Sequence, residues 1–488
     1  MGLLAGTQPE TSVDMPAEPH ERDQTQPPEH DGIGMPYRLW AAIVIILGVM
    51  MSSLDGTIVN LALPFVARDL RASAADAVWI ISAYQLAALT LLLPFAAIGD
   101  RIGYKWVYLG GVSVFAVASG VCFLANSLPM LAAARGVQGL GAAGIMAVNG
   151  ALLRQIFPRR LFGRAVAMNA AIVAAAAAAG PSVAAGILSV ATWPWLFAAN
   201  IPLGILVIGL GWHALPNKPK SATHNPRMAG LDVILNVLTF GLVFVGAQSL
   251  AGGLRQNAEL ASFGIPLALL LAGMVVGRLY LRRQRDLSLP IFPVDLLRRP
   301  LFRLSMCTSV AAFSSQTLVY VALPFLLLGL WGRSAGEAAL VMSSWPLAVL
   351  FMAPLAGILI GRYPSALLGA VGLALLTLGL VLVATLDGVP SLHDIAWRMA
   401  LCGIGFGLFQ SPNNHTLLTA APVSRSGAAG GMVGTARLTG QVIGAVLLAL
   451  IFTVNRSHPG DGPAMALSVA AGLAGLAGVL SALRMRHA

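Results

Sequence analysis

The chain is short of charge. Asp, Glu, Lys and Arg make up 10% of its 488 residues, against roughly 25% in ordinary soluble domains. With 57% apolar residues alongside, a soluble enzyme, a secreted scaffold and a disordered chain are excluded. Lysine is nearly absent: Lys105, Lys218 and Lys220 are the only three, and none sits in a Gly-Lys-Ser/Thr triplet, so ATP hydrolysis by a Walker loop is excluded. Cysteine is scarce too. Cys122, Cys307 and Cys402 lie inside apolar runs, where a thiol packs as a small apolar group. There is no His-Glu-x-x-His and no paired-Asp metal motif, and the eight histidines are scattered. No catalytic constellation and no cofactor are implied, and the chain reads as a non-enzyme.

What is present is a succession of apolar runs of about 20 residues, each long enough to cross a hydrocarbon core of ~30 Å as a helix. Fourteen are counted: 39–61, 77–98, 106–125, 128–152, 163–189, 194–213, 230–250, 260–281, 302–330, 336–360, 365–385, 395–418, 427–454 and 463–483. The fold class is therefore an all-α membrane protein. Residues 1–37 differ: seven acids, one base and several prolines read as a disordered acidic tail.

The net charge is +11, but the bases occupy short loops, which points to topology and anionic lipid rather than nucleic acid. With both termini in the cytoplasm, cytoplasmic segments hold 22 Lys/Arg and outer loops six, while Arg135 and Arg437 stay inside helices. That bias is the positive-inside pattern. An odd helix count would scramble it.

Polar groups inside the runs are the candidate functional residues, because a charge at mid-membrane costs about 2.5–3.5 kcal/mol on insertion scales. Asp55 lies deep in the first run, deeper than any other acid. It is either a structural carboxylate bonded to a neighbouring helix or a proton or cation site, and its depth favours the second. Arg135, Gln138, Gly139 and Ala142 fall at i, i+3, i+4 and i+7 and share a helix face; a buried ion pair and a coupling switch both fit. Arg437 lies between two small-xxx-small pairs, Gly430/Gly434 and Gly440/Gly444, in a helix suited to tight packing. Phe406, Gln410 and Asn413 present aromatic and amide groups to either a ligand cavity or an interhelical hydrogen-bond network. Trp79, Tyr84 and Trp193 fall near run edges and read as interfacial anchors. Pro181 should bend the fifth run, since it offers no N–H to the carbonyl of Ala177.

These residues resemble the major facilitator superfamily, and within it the fourteen-helix drug:proton antiporters, over about residues 39–485. Asp100-Arg101-x-Gly103-x-Lys105 looks like the superfamily's loop motif, with Ala96 in place of its first glycine and Tyr104 in place of its first base. Arg135-x-x-Gln138-Gly139-x-Gly141 is similar to the helix 4 coupling motif, and Gly180-Pro181 to the helix 5 antiporter motif, although Ala184-Ala185 replace a glycine pair. Leu54–Pro64, Trp193-Pro194-Trp195, Asn200-Ile201-Pro202 and Phe406–Asn414 resemble the fourteen-helix subgroup. The loop motif's pseudo-repeat, Gly357 to Arg362, carries Gly361 where the first copy has Asp.

The resemblance implies a tail over 1–37, a six-helix bundle over 38–215, a linker with two inserted helices over 216–299 and a second six-helix bundle over 300–488. It implies a monomeric, proton-coupled exporter of lipophilic, cationic drugs, dyes or biocides in the bacterial inner membrane. Asp55 and Arg135 would couple protons; Asp100, Arg101, Gly103 and Lys105 would gate; Gly180, Pro181, Gln138 and Gly139 would complete the motifs. An exporter of a metabolite, siderophore or lipid precursor and a non-transporting sensor are the alternatives.

Overall fold

The computed structural model describes residues 32–217, 230–253, 263–287, 290–386, 388–422, 425–455, 457–458 and 460–486. Of the acidic tail, residues 1–31 lie outside them, as do Lys218 and Lys220. The first bundle comprises α1 (Tyr37–Asp69), α2 (Ala74–Ile102), α3 (Tyr104–Phe123), α4 (Leu128–Ile156), α5 (Arg159–Val190), and the short α6 (Trp195–Ala198) followed by α7 (Asn200–Ala214). A hairpin of α8 (Gly230–Gly253) and α9 (Gly264–Arg285) follows, then the short α10 (Val294–Leu297). The second bundle is α11 (Pro300–Pro324), α12 (Ala335–Ile360), α13 (Ser365–Ala384), α14 (Leu392–Thr419), α15 (Ser426–Val454) and α16 (Asp461–Leu483).

Thirteen described helical segments are long and apolar enough to span a bilayer, the fragments α6 and α7 together forming one of them. The fourteenth expected span, α14, is less apolar because its last turns carry Gln410, Asn413, Asn414 and His415. It packs against α12 and α13 all the same, and its Asn413 is taken up by hydrogen bonds to Ser305 and Ser309 of α11.

Several helices start on chain-encoded caps. Ser73 and Ser391 each accept from the backbone N–H three residues on, and Ser334 with Glu337 forms a reciprocal capping box. Between α2 and α3 there is a single residue, Gly103, at φ +101°, a backbone conformation a Cβ strains. α5 runs unbroken from Arg159 to Val190 with Pro181 inside it. After Pro324, which has no N–H for the ladder, six residues (Phe325–Leu330) adopt π-helical hydrogen bonding, and the Trp331 N–H bonds Leu326 O five residues back at 2.9 Å.

The two bundles are pseudo-repeats in detail. Gly139 of α4 lets α2 approach so closely that a Cβ there would overlap the Tyr84 carbonyl oxygen and lie 3.0 Å from Ala87 Cβ. Gly403 of α14 stands in the same relation to the Trp345 carbonyl oxygen and Ala348 Cβ of α12. Counted from these glycines, Met399 and Cys402 occupy the places of Arg135 and Gln138. One half carries polar groups where the other is apolar.

The bundles meet along two seams, α2 with α15 and α5 with α12. In the second, the Ser182 and Ser343 hydroxyls share a hydrogen bond at 3.3 Å. The start of α1 and the end of α16, the described helix ends nearest the termini, lie toward one face of the array. Toward the opposite face, one apolar cluster joins both bundles, from Ile58–Ala67 and Ala184 on one side to Ala311–Leu327, Trp345 and Ala445–Phe452 on the other. Toward the face with the termini, each bundle keeps its own cluster, around Tyr108 and Phe115 in the first and around Phe302 and Met432 in the second. The hairpin lies over the α2–α15 seam: stacked Phe240 and Phe244 of α8 pack on Ala88, Leu89, Leu92, Leu438 and Val442.

Candidate functional site

Asp55 lies at the middle of α1 and is 2% exposed. Its Oδ2 accepts from Arg135 Nη1 at 2.5 Å, and its Oδ1 accepts from Gln138 Nε2 and Asn200 Nδ2, both at 3.0 Å. The network extends outward. Arg135 Nη1 also donates to Gln138 Oε1 and Arg135 Nε to the Ile80 carbonyl. Gln138 Nε2 reaches Ser119 Oγ at 2.8 Å, and the Cys122 thiol donates to Gln138 Oε1 at 3.8 Å. The guanidinium lies over the Tyr84 ring, 4.2 Å from its centroid, with Phe197 at 5.7 Å. Three helices of one bundle, α1, α4 and α7, thus meet at one carboxylate, and α2 and α3 join the network through Arg135 and Gln138.

The helical spacing explains the convergence. Arg135 and Gln138 point the same way from α4 because they are three residues apart. Gly139 brings that face against α2, which places the Tyr84 ring over the guanidinium. Asn200 arrives because the helix predicted over 194–213 is broken at Ala199, so that Asn200 begins α7. A buried charge pair in such a setting holds only where the remaining donors and lone pairs are satisfied, and here both carboxylate oxygens are.

Gly180, before Pro181, seats α5 on α1 just below the cluster: a Cβ there would overlap the Thr57 side chain, two residues beyond Asp55. The loop motif is laid out differently. Asp100 and Arg101 are exposed, and Asp100 Oδ1 accepts from Tyr104 Oη at 2.5 Å. Lys105, counted from the sequence as a loop charge, is 6% exposed and donates to the Trp212 carbonyl at the end of α7, 2.6 Å away.

In the second bundle the expected cavity residues separate. Phe406 is buried in an aromatic cluster, edge-on to Phe313 at 5.4 Å and to Phe409 at 5.8 Å and tilted against Trp345 at 5.8 Å. Asn413 is fully buried and forms part of an interhelical network: it donates to Ser309 Oγ and the Ser305 carbonyl, and accepts from Arg484 at 2.5 Å. Gln410 is half-buried. Arg437 lies with its Cζ 5.9 Å from the Phe313 ring centroid.

Three placements differ from the sequence reading. Tyr84, taken for an interfacial anchor, is buried against Arg135, because α2 starts at Ala74 and carries it ten residues into the helix. Trp193 is buried, with Nε1 donating to Asp69 Oδ2 at 2.7 Å. Arg484, counted among the cytoplasmic charges, is buried and bonded to Asn413, Ser305 and Ser481. Asn200, a partner of Asp55, and Ser119, a partner of Gln138, are the site residues that the sequence reading missed. For Asn200 a signal existed in its Asn-Ile-Pro segment; for Ser119 there was none.

Comparison with known proteins agrees with this architecture. The family model described as Major Facilitator Superfamily matches residues 45–445. The chain is 46% identical over 458 residues to uncharacterized transporter YebQ of Escherichia coli (strain K12), covering 93% of this chain and 97% of that one. It is 29% identical to the riboflavin transporter RibZ of Clostridioides difficile (86% and 89% covered) and 29% identical to the multidrug efflux pump LfrA of Mycolicibacterium smegmatis (88% and 84%). Its fold is similar to a solved transporter of the POT family in complex with 5-aminolevulinic acid, at a TM-score of 0.68, 16% identity and 91% and 96% coverage. It is a multi-pass protein of the bacterial inner membrane and not an enzyme, and it belongs to the Major Facilitator Superfamily of transporters.

Proposed function

We propose that the protein is a proton-coupled antiporter that exports lipophilic small molecules, of the kind met as drugs, dyes and biocides. The observation that carries the reading is the sealed Asp55–Arg135 pair with Gln138 and Asn200. An ionised Asp55 ties α1 to α4 and α7. A proton taken up on Asp55 cancels the charge that holds Arg135, and the guanidinium must then find other acceptors. Protonation and helix packing are therefore alternatives at one atom, which is what coupling requires. In the orientation given by the loop charges, the face with the termini is cytoplasmic and the shared apolar cluster seals the outer face. Cargo would load from the cytoplasm with Asp55 ionised, and the proton would enter from outside after the seal opens.

The relative LfrA, a multidrug efflux pump, supports the class of cargo. RibZ supports a second reading, carriage of a vitamin-like metabolite on the same scaffold. A cationic cargo, expected from a lone membrane carboxylate, would have to displace Arg135 before meeting a negative charge.

The test is efflux from an efflux-deficient host carrying the gene, loaded with ethidium and with neutral and acidic dyes. Export of at least one dye that stops on adding a protonophore is the expected result. Export that continues with the proton gradient and voltage collapsed rules the reading out.

A further inference from the structure

The second intramembrane arginine, Arg437, has no acid beside it among the described residues. Among the described residues, Asp55 is the sole acid deep within a helix of either bundle, and Arg135 neutralises it. Arg437 has no hydrogen bond or ion pair to a described residue, and its Nε is buried without a partner. An unpaired guanidinium within the membrane is costly to place, so its presence in a helix whose other polar side chains are all uncharged asks for a use.

Its position is specific. On one side of it in α15, Gly434 meets Leu92 of α2, 2.8 Å from where a Cβ would stand; on the other, Gly440 meets Phe313 of α11 at the same distance. Arg437 therefore lies where the two bundles touch. Its guanidinium is near the Phe313 ring and within electrostatic reach of the Tyr84 phenol on the opposite bundle. It also lies just short of the apolar seal, whose members on α15 begin at Ala445 and which includes Phe313, Phe406 and Trp345. The arrangement is a cation beneath an aromatic ceiling.

Accepting the carrier reading above, we propose that Arg437 is the cargo-recognition group. The cargo class is then aromatic and planar, bearing a carboxylate, an ionised phenol or an equivalent acceptor, and not a permanent cation. The acceptor meets the guanidinium in the fork geometry that suits planar oxyanions, and the cargo's rings lie toward the buried aromatic cluster of Phe313, Phe406 and Trp345. Division of labour between the halves follows. The first bundle reads the proton at Asp55, and the second, apolar where the first is polar, offers one unpaired arginine beside a buried aromatic cluster.

Two dyes with the same xanthene core and opposite charge test this: fluorescein, an anion, and rhodamine 123, a cation. Fluorescence polarisation with the purified full chain in lipid nanodiscs reads binding with no proton gradient, so the outcome is independent of whether transport is proton-driven. Fluorescein is expected to bind about tenfold or more tightly than rhodamine 123. Arg437→Gln should bring the ratio to about one by weakening fluorescein alone. Arg437→Lys, which keeps the charge and loses the fork, should retain part of the preference and guards against a misfolded Gln variant. Equal or tighter binding of rhodamine 123, no saturable binding of fluorescein, or equal weakening of both dyes in Arg437→Gln would overturn the assignment.

Discussion

Replacing Asp55 by Asn separates the stability role of the carboxylate from its coupling role. The amide keeps one acceptor and gains two donors. Arg135, Gln138 and Asn200 all donate toward this side chain, at 2.5, 3.0 and 3.0 Å. Whichever way the amide turns, its NH2 faces a donor, and Arg135 becomes a buried cation without a counter-ion. Breaking one side of a buried pair costs about 3–5 kcal/mol, or two to three and a half powers of ten in the unfolding equilibrium at about 1.4 kcal/mol per decade. The double variant Asp55→Asn/Arg135→Gln removes both charges and should recover most of that loss. Neither variant should restore proton-driven export. The assay pairs a denaturation midpoint in detergent with dye export from proteoliposomes under an imposed pH gradient. Wild-type export by Asp55→Asn, still abolished by a protonophore, would refute the reasoning. So would a double variant no more stable than the single one.

Other substitutions follow from the same geometry. Asn200→Ala removes one donor to a charged acceptor, and should cost about 1–3 kcal/mol of stability and slow export without abolishing it, as read by dye efflux. Gly139→Val places a side chain into the Tyr84 carbonyl and Ala87; the amount of folded protein in membranes should fall sharply. Gly103→Ala forces a Cβ onto φ +101° and should cost about 1–3 kcal/mol by thermal unfolding in detergent. For an anionic cargo, exchange against one proton moves two charges, so 100 mV adds about 5 kcal/mol of drive. A valinomycin-imposed potential should then accelerate fluorescein export from proteoliposomes, and an unchanged rate would contradict anion exchange.

Much of this was legible in the residues. Asp55 announced itself as a lone acid deep in an apolar run. The i, i+3, i+4 spacing of Arg135, Gln138 and Gly139 placed them on one face before their partners were known. What spacing could not give was which helices meet. Tyr84 was misplaced because an apolar run marks a helix start only to within a few residues, and three residues decide whether an aromatic lies at the interface or one helical turn deeper. Arg484 is a loop charge by arithmetic and a buried one in the fold, since its partners come from three helices: Ser305, Asn413 and Ser481. The network around Asn413 needed the same tertiary pairing. The short α6 needed the turn after Trp193, which apolarity alone does not report.

The α8–α9 hairpin has a consequence for traffic with the bilayer. Two bundles rocking about a central cleft would otherwise present a pair of equivalent fissures to the hydrocarbon. Phe240 and Phe244 cover the α2–α15 seam, so were the bundles to part, the α5–α12 seam, joined by the Ser182–Ser343 contact, would be the one of the two that the hairpin leaves open to the leaflet. The extra helices thus make the two seams unequal in their exposure to lipid.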